Sequence, residues 1–500
     1  MKEYELTKSE WDFVNSFLES KGLPTDRNMT FGDVTIKSRF SKIRSRSEIN
    51  DFRTTLYPGL ELNTPFIMAN MVCVANERAI IAIEREGGLG IPPQMLSLKR
   101  RLGMIERIGR AESAHIDRPL TISPDKTLAE AKQLMNKFGI YSLVVVDDGH
   151  RPIGILSTRD WRYEADDTKL VRNLMGGRRG MHTAPKNVSF EEAGDILRKY
   201  RIEKLPLVDK HGRLAALITA HGLFYKHHHP RATGDGKGRF VTAGSIGVGR
   251  SFTSEHMKEV EQQVRKGIRL LLIDTARAFS INTKEAIAHI RQRYPKLPLM
   301  VGNVDCPEGA KALFEWGADI VKVGIGPGEA CRTREVGVGT PQLSAVAKCA
   351  AIADLRRQSG HFASIVADGG MKNPGDICKA LIAGADAVMS GSLFIGAIES
   401  AAKGELTREG FWVKKYIGSA SFEAQEERIH QGTLDVSRRP EGVSQPMPVL
   451  GTMKDVVDEL LKGMRSTMSY TGVTSVAELR THGLLAPQTP AGLYEGIKKK

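Results

Sequence analysis

Residues Ser364–Ser392 read SIVADGGMKNPGDICKALIAGADAVMSGS. Two short apolar runs, SIVA and ADAVMS, flank an Ala/Gly-rich helical stretch, GDICKALIAGA. A run that is apolar at successive positions is a strand buried on both faces, the habit of a parallel sheet covered by helices. Each run ends in DGG or SGS, where a strand gives way to a loop.

The same grammar extends outward in both directions. FIMANM (Phe66–Met71) precedes NERAIIAIEREGG, and FVTAGSIG (Phe240–Gly247) precedes SEHMKEVEQQVRKG. IRLLLIDTA (Ile268–Ala276) precedes NTKEAIAHIRQRYP, PLMVGNV (Pro298–Val304) precedes PEGAKALFEWG, and ADIVKVGIG (Ala318–Gly326) follows. GLGIPPQ, near Gly88, supplies the eighth run. Eight β/α units predict an α/β fold, a (β/α)8 TIM barrel. Chemistry in such a barrel sits on the loops after the strands. The polar and glycine signals fall there: Asn70, Asp274, Asn303, the loop holding Cys331, Asp368, Gly391 and Ser392.

The grammar breaks between about Ile116 and Lys226. Two segments there repeat each other at a constant offset, setting Leu128 against Phe190 and Asp160 against Gly222. Each reads helix, strand, turn, strand, and neither could bury a core alone. The expected domains are therefore 1–113 as the first part of the barrel, 114–228 as an inserted tandem domain, and 229–500 as the rest of the barrel.

Composition narrows the class. The 500 residues are 41% hydrophobic and 26% charged, as in a globular chain. No segment nears the ~20 apolar residues needed to cross a bilayer, and MKEYELTKSEWDF has no apolar core of a secretory signal. A cytoplasmic protein without membrane partners is expected. The net charge of +14 is spread along the chain with no aromatic-interleaved patch, so nucleic acid is not the expected partner. The five cysteines are dispersed and form neither a zinc pattern nor a disulfide framework.

One cysteine has unusual surroundings. GIGPGEACRTREVGVG, Gly324–Gly339, places Cys331 among glycines. Glycines at positive φ let backbone groups converge on a ligand. A thiol presented at a barrel mouth is a candidate nucleophile. The alternative is a buried structural cysteine.

This loop resembles the catalytic loop of the IMP dehydrogenase / GMP reductase family. MTFGDV, PFIMANM, IDTA, GNV, VADGG, AGADAVMSGSLF and RSTMSYTG extend the resemblance over most of the chain. The inserted repeats resemble a tandem CBS (Bateman) domain, which implies an adenine or guanine nucleotide in the cleft, with Asp160 on the ribose. Gly222 puts a second such site in doubt. The resemblance implies that Cys331 attacks C2 of a purine mononucleotide to give a thioimidate, with Thr333 and Glu399 handling protons. It implies Asp368 on the ribose hydroxyls, and Gly370, Gly391, Ser392 and Tyr416 around the phosphate. Asn303 and Asp274 would face the base and the nicotinamide of NADPH or NAD. Gly326, Gly328 and Cys331 would offer carbonyls to K+. A homotetramer or octamer is implied.

Glu329 departs from the family's serine, and a carboxylate beside a phosphate is repelled. It is expected to swing away or to pair with Arg332 or Arg334; the alternatives are a phosphate seated slightly differently and a preferred substrate other than the usual mononucleotide. The flap, about 419–450, lacks the Arg-Tyr pair with which the family's dehydrogenases hydrolyse the thioimidate; Arg428 and Arg438 are the nearest candidates. IMANM followed by Val72, IPPQM and TPAGLYEG are closest to a bacterial CBS-containing subgroup of GMP reductases. PEGV, from Pro440, resembles the dehydrogenase flap instead. The expected activity is GMP reductase. IMP dehydrogenase and a non-catalytic nucleotide-binding regulator are the alternatives.

Overall fold

The computed structural model describes residues 4–111, 115–117, 119–138, 140–176, 181–234, 239–249, 251–421, 423–425 and 441–496. They form two compact units, one of Met1–Ile108, Arg231–Thr233 and Val241–Lys500, the other of Gly109–Pro230 with Gly234–Phe240.

The first unit is the expected barrel. Its strands are β1 (Phe66–Met68), β2 (Leu89–Gly90), β3 (Ala243–Ile246), β4 (Leu270–Asp274), β5 (Leu299–Val304), β6 (Ile320–Val323), β7 (Ser364–Asp368) and β8 (Ala387–Ser390). They pair in parallel in the order β3-β4-β5-β6-β7-β8-β1-β2. Among the described residues no ladder joins β2 to β3, so the barrel is nearly closed. Leu270 and Leu272 belong to the interior core with Ile67, Met300, Ile320, Val366 and Met389. Leu271, on the opposite face, is equally buried. Burial on both faces is why these runs are apolar at every position rather than alternating.

The strands are shorter than the runs that announced them. ADIVKVGIG leaves the sheet at Val323 because Gly324 and Gly326 turn to φ of 149° and 79°. Those last residues are site loops. The covering helices include α1 (Glu77–Arg85), α2 (Leu98–Arg110), α3 (Ser254–Arg265), α4 (Ile281–Arg293), α5 (Pro307–Trp316), α6 (Gln342–Gln358), α7 (Pro374–Ile382) and α8 (Met453–Thr471). At Gly463 of α8 a Cβ would lie 2.4 Å from Pro374, at the start of α7, so only glycine admits this approach. After β8, strands β9 (Gly404–Leu406), β10 (Trp412–Ile417) and β11 (Ser444–Pro448) form an antiparallel sheet in that order.

The second unit holds both repeats. Helix Leu128–Phe138 with strands Ser142–Val146 and Pro152–Ser157 answers to helix Phe190–Tyr200 with strands Lys204–Val208 and Leu214–Thr219. Each repeat has its own small core, around Leu143 and Val145 in one and Leu205 and Leu207 in the other. Val144, Leu214 and Leu217 form a third cluster that joins the repeats. No helix among the described residues is long and apolar enough to cross a membrane.

Candidate active site

A cavity of about 1230 Å³ opens where the barrel strands end. Asp274, Asn303, Asp368 and Ser390 line it, and each is at or next to the last position of its strand.

Its floor is an ionic cluster. Lys322, on β6, has a side chain only 3% exposed. Its ammonium meets Asp368 Oδ2 at 2.7 Å and Asp274 Oδ1 at 3.2 Å, and it donates to Asn303 Oδ1. Asn303 Nδ2 donates to Asp368 Oδ2 at 2.9 Å and to the Gly324 carbonyl at 2.7 Å. Asn70 Nδ2 donates to Asp274 Oδ2 at 2.9 Å. Burial works against the ammonium, but the two aspartates outweigh it and hold the Lys322 pKa above the ordinary lysine value. Sequence reasoning named Asp274, Asn303 and Asp368 but missed Lys322. Its signal was a lone charge inside the apolar run ADIVKVGIG.

Cys331 stands on the wall above. Its Sγ lies 3.1 Å from Thr333 Oγ1, which donates to Glu441 Oε2 at 2.7 Å. Glu441 is delivered by a short strand-like segment. Arg332 N–H donates to the Glu441 carbonyl at 2.7 Å, and Val443 N–H to the Ala330 carbonyl at 3.1 Å. Gly418 N–H then donates to the Val443 carbonyl at 2.9 Å, tying this segment to the chain just after β10. Thiol, hydroxyl and carboxylate thus form one hydrogen-bonded series.

Glu399 is not part of that series. Its Oε2 accepts the Met453 amide at 2.9 Å, at the start of α8, and it does not line the cavity. A carboxylate there satisfies an orphan N–H and faces the positive end of the helix dipole. The carboxylate the structure brings to Thr333 is Glu441, from the PEGV stretch.

A cradle of small residues lines the same cavity. Gly328, Gly369, Gly370, Gly391 and Ser392 line it, with Tyr416 of β10 behind. A Cβ on Gly391 would lie 2.5 Å from Tyr416 Oη and 2.7 Å from Met71 Sδ, so the tyrosine reaches the cradle only because residue 391 is glycine. Burial, then the charges of Cys73, Asp368, Glu329 and Cys331, push the Tyr416 phenol well above its usual value, so it stays a hydroxyl. Glu329 is exposed and lines the same end. It pairs with neither expected arginine: Arg332 faces Glu335 at 3.4 Å, and Arg334 donates to the Thr340 carbonyl at 2.8 Å.

The carbonyls named for K+ are unequal. That of Gly328 accepts the Cys331 amide at 3.0 Å, and Arg334 packs over Gly326. Among the described residues no group of three His, Cys, Asp or Glu side chains converges as a metal site. The other four thiols are suppressed: burial pushes Cys73 and Cys306 up to about 11 and Cys378 to about 12, and raises Cys349. Cys331 is the one that lines the cavity. A second arm of the cavity passes Asp274, Thr275 and Ala276 toward Gly247–Gly249 and Gln94–Leu98. Asp160 belongs to the other unit, where its Oδ2 accepts the Ser157 amide and hydroxyl at 2.6 and 2.7 Å. Arg428 and Arg438 lie outside the described residues.

Residues 28–498 match the IMP dehydrogenase / GMP reductase domain. The chain is 37% identical over 471 residues to a protein named inosine-5′-monophosphate dehydrogenase from Halalkalibacterium halodurans, covering 93% of this chain and 94% of that one. It is also 37% identical over 475 residues to a protein of the same name from Aquifex aeolicus, with the same coverages. In fold it is similar to a cysteine-to-alanine variant of GMP reductase from Trypanosoma brucei solved with guanosine 5′-monophosphate. The TM-score is 0.83 at 31% identity, over 96% of this chain and 99% of that one. The same reductase with guanosine 5′-triphosphate superposes at a TM-score of 0.73 and 29% identity, over 94% and 99%. The chain belongs to the IMP dehydrogenase / GMP reductase family, whose members are oxidoreductases.

Proposed function

We propose that this member of the IMP dehydrogenase / GMP reductase family is a GMP reductase. The observation that carries the reading is a 419–450 stretch in which no arginine is followed by tyrosine, beside a Cys331–Thr333–Glu441 series that serves either direction. Cys331 Sγ adds to C2 of the base, and the exocyclic amine leaves as ammonia with a proton passed along Glu441 and Thr333. A nicotinamide dinucleotide phosphate, when bound in its reduced form, supplies the hydride that C2 needs. The arm past Asp274, Thr275 and Ala276 is where this chain would hold it, and the cavity is too large for a mononucleotide alone. As C2 gains hydride, the C–S bond breaks and Cys331 leaves as thiolate, giving IMP. The balance is GMP, NADPH and two protons to IMP, NADP+ and ammonium. Asp368 would take the ribose hydroxyls, since a carboxylate accepts from two neighbouring donors. Gly370, Gly391, Ser392 and Tyr416 would hold the phosphate.

The dehydrogenase reading, IMP with NAD and water to XMP, is favoured by the names of the sequence relatives and by PEGV. Purified protein with GMP and NADPH, against IMP with NAD and potassium, separates the two by nicotinamide absorbance. NADPH oxidation with ammonia release supports the reductase. NAD reduction with XMP formed would replace it by the dehydrogenase, with Arg428 or Arg438 as candidate water-activating groups. For the insert, the same proposal places an adenine or guanine nucleotide at Asp160, in a cytoplasmic homotetramer or octamer.

A further inference from the structure

We propose that Lys322 is a positioning residue that ties the mononucleotide half of the cavity to the nicotinamide half. This rests on the reading that Asp368 takes the ribose and Asp274 faces the second ligand.

An ammonium has three protons to give. Lys322 faces three acceptors, Asp368 Oδ2, Asp274 Oδ1 and Asn303 Oδ1, so none is left over. Its stem is confined as well. Gly302, on β5, lies so close that a Cβ there would sit 2.5 Å from the Lys322 Cβ. The lysine is therefore a fixed cation shared by two carboxylates, and it cannot approach one without leaving the other.

The consequence at Asp368 is directional. Lys322 and Asn303 both bind Oδ2, which leaves Oδ1 without a hydrogen bond from any described residue. The carboxylate is thereby locked with one oxygen turned to the floor and the other to the cavity. At Asp274, Lys322 takes Oδ1 and Asn70 takes Oδ2, so its orientation is set by the same lysine. Asn303 carries the series on to the carbonyl of Gly324, where the Cys331 loop begins. The ends of β1, β4, β5, β6 and β7 are joined through one buried charge. Removing it leaves two partly buried carboxylates without their shared cation, which is destabilising.

The test measures binding without turnover, in the Cys331→Ala background, by calorimetry with GMP and NADPH and with IMP and NAD. Lys322→Met is expected to weaken both the mononucleotide and the nicotinamide nucleotide by about thirtyfold or more. Asp274→Asn alone is expected to weaken the nicotinamide nucleotide about tenfold and to tighten the mononucleotide about threefold, because the lysine then serves Asp368 alone. Lys322→Met with Asp274→Asn is expected to regain about fivefold in mononucleotide affinity over Lys322→Met, since one carboxylate fewer lacks a cation. That recovery is what a merely structural lysine would not produce. A folded Lys322→Met protein that binds the mononucleotide within about threefold of its parent overturns the proposal, as does a double variant no better than the single one. If Lys322→Met does not fold, Asp274→Asn decides: unchanged mononucleotide affinity overturns the proposal. A parent protein that binds neither GMP nor IMP overturns the functional reading, and this inference with it.

Discussion

Thr333 sits between a thiol and a carboxylate, and its hydroxyl can take a proton from one side while giving one to the other. In the proposed reaction Glu441 would be the acid or base of that series, while Glu399 accepts the first amide of α8. Glu441→Gln is expected to lower kcat about 10²–10³-fold with little change in KM. Glu399→Gln is expected to leave kcat within about threefold and cost roughly 1 kcal/mol of stability. Steady-state kinetics and thermal unfolding of the two variants separate the roles; the reverse pattern would restore Glu399 to the chemistry. Glu329 makes a charge argument at the same scale. A carboxylate about 4 Å from a phosphate costs on the order of 1 kcal/mol per charge pair in water and several times that in a dry site. Glu329 is exposed, so the lower figure applies. Glu329→Ser is expected to lower the KM for the mononucleotide about fivefold, with the gain shrinking as salt rises. A KM that rises instead would make Glu329 a ligand for something the substrate donates.

Among the elements, α1 carries the least expected side chain. Glu84 is fully buried, and neither carboxyl oxygen has a hydrogen-bond partner of normal length. It faces the backbone amides of Gly90 and Val241, the end of β2 and the approach to β3, where the ladder is open. Those amides help the charged form a little; burial dominates and pushes the carboxyl well above 4.5. Below pH 4.5 the folded and unfolded chains both hold the proton, and stability is unaffected. Above it the unfolded chain releases a proton that the folded chain keeps, so stability falls as pH rises. Glu84→Gln is expected to remove that decline, making the variant more stable than the parent at pH 7 and equal to it near pH 4. Urea midpoints from pH 4 to 8 check this; parallel curves would mean that Glu84 is charged in the folded state. The barrel strands themselves were legible because burial on both faces leaves an apolar run in the sequence. Glu84 was not, since on paper it belongs to an ordinary amphipathic helix.

For the whole molecule, the division into units is not a clean cut in the chain. Arg231–Thr233 counts with the barrel, between stretches that count with the insert. Arg231 pairs with Glu86 and, at 2.6 Å, with Asp458 of α8; the Glu86 side chain is 5% exposed. Replacing residues 112–230 by a short flexible linker is expected to leave kcat within about threefold. Extending the excision through Thr233 removes Arg231 and strands a buried carboxylate, and is expected to cost about 2 kcal/mol more. Thermal unfolding of the two shortened variants reads the difference, and equal stabilities would show that Arg231 contributes nothing.

The eight β/α units, the internal repeat and the glycine-framed cysteine were determined by sequence alone, because each is written in residues close together along the chain. Period, turn chemistry and a local motif do not require knowing what lies across the fold. The tertiary structure alone decided which carboxylate reaches Thr333, for that bond joins positions 108 residues apart. The pairing of Ala330–Arg332 with Glu441–Val443 makes it, and nothing local distinguishes Glu441 from Glu399. It also decided that Lys322 stands under both aspartates. A barrel gathers the ends of distant strands within reach of one side chain, and only closure of the barrel brings those ends together.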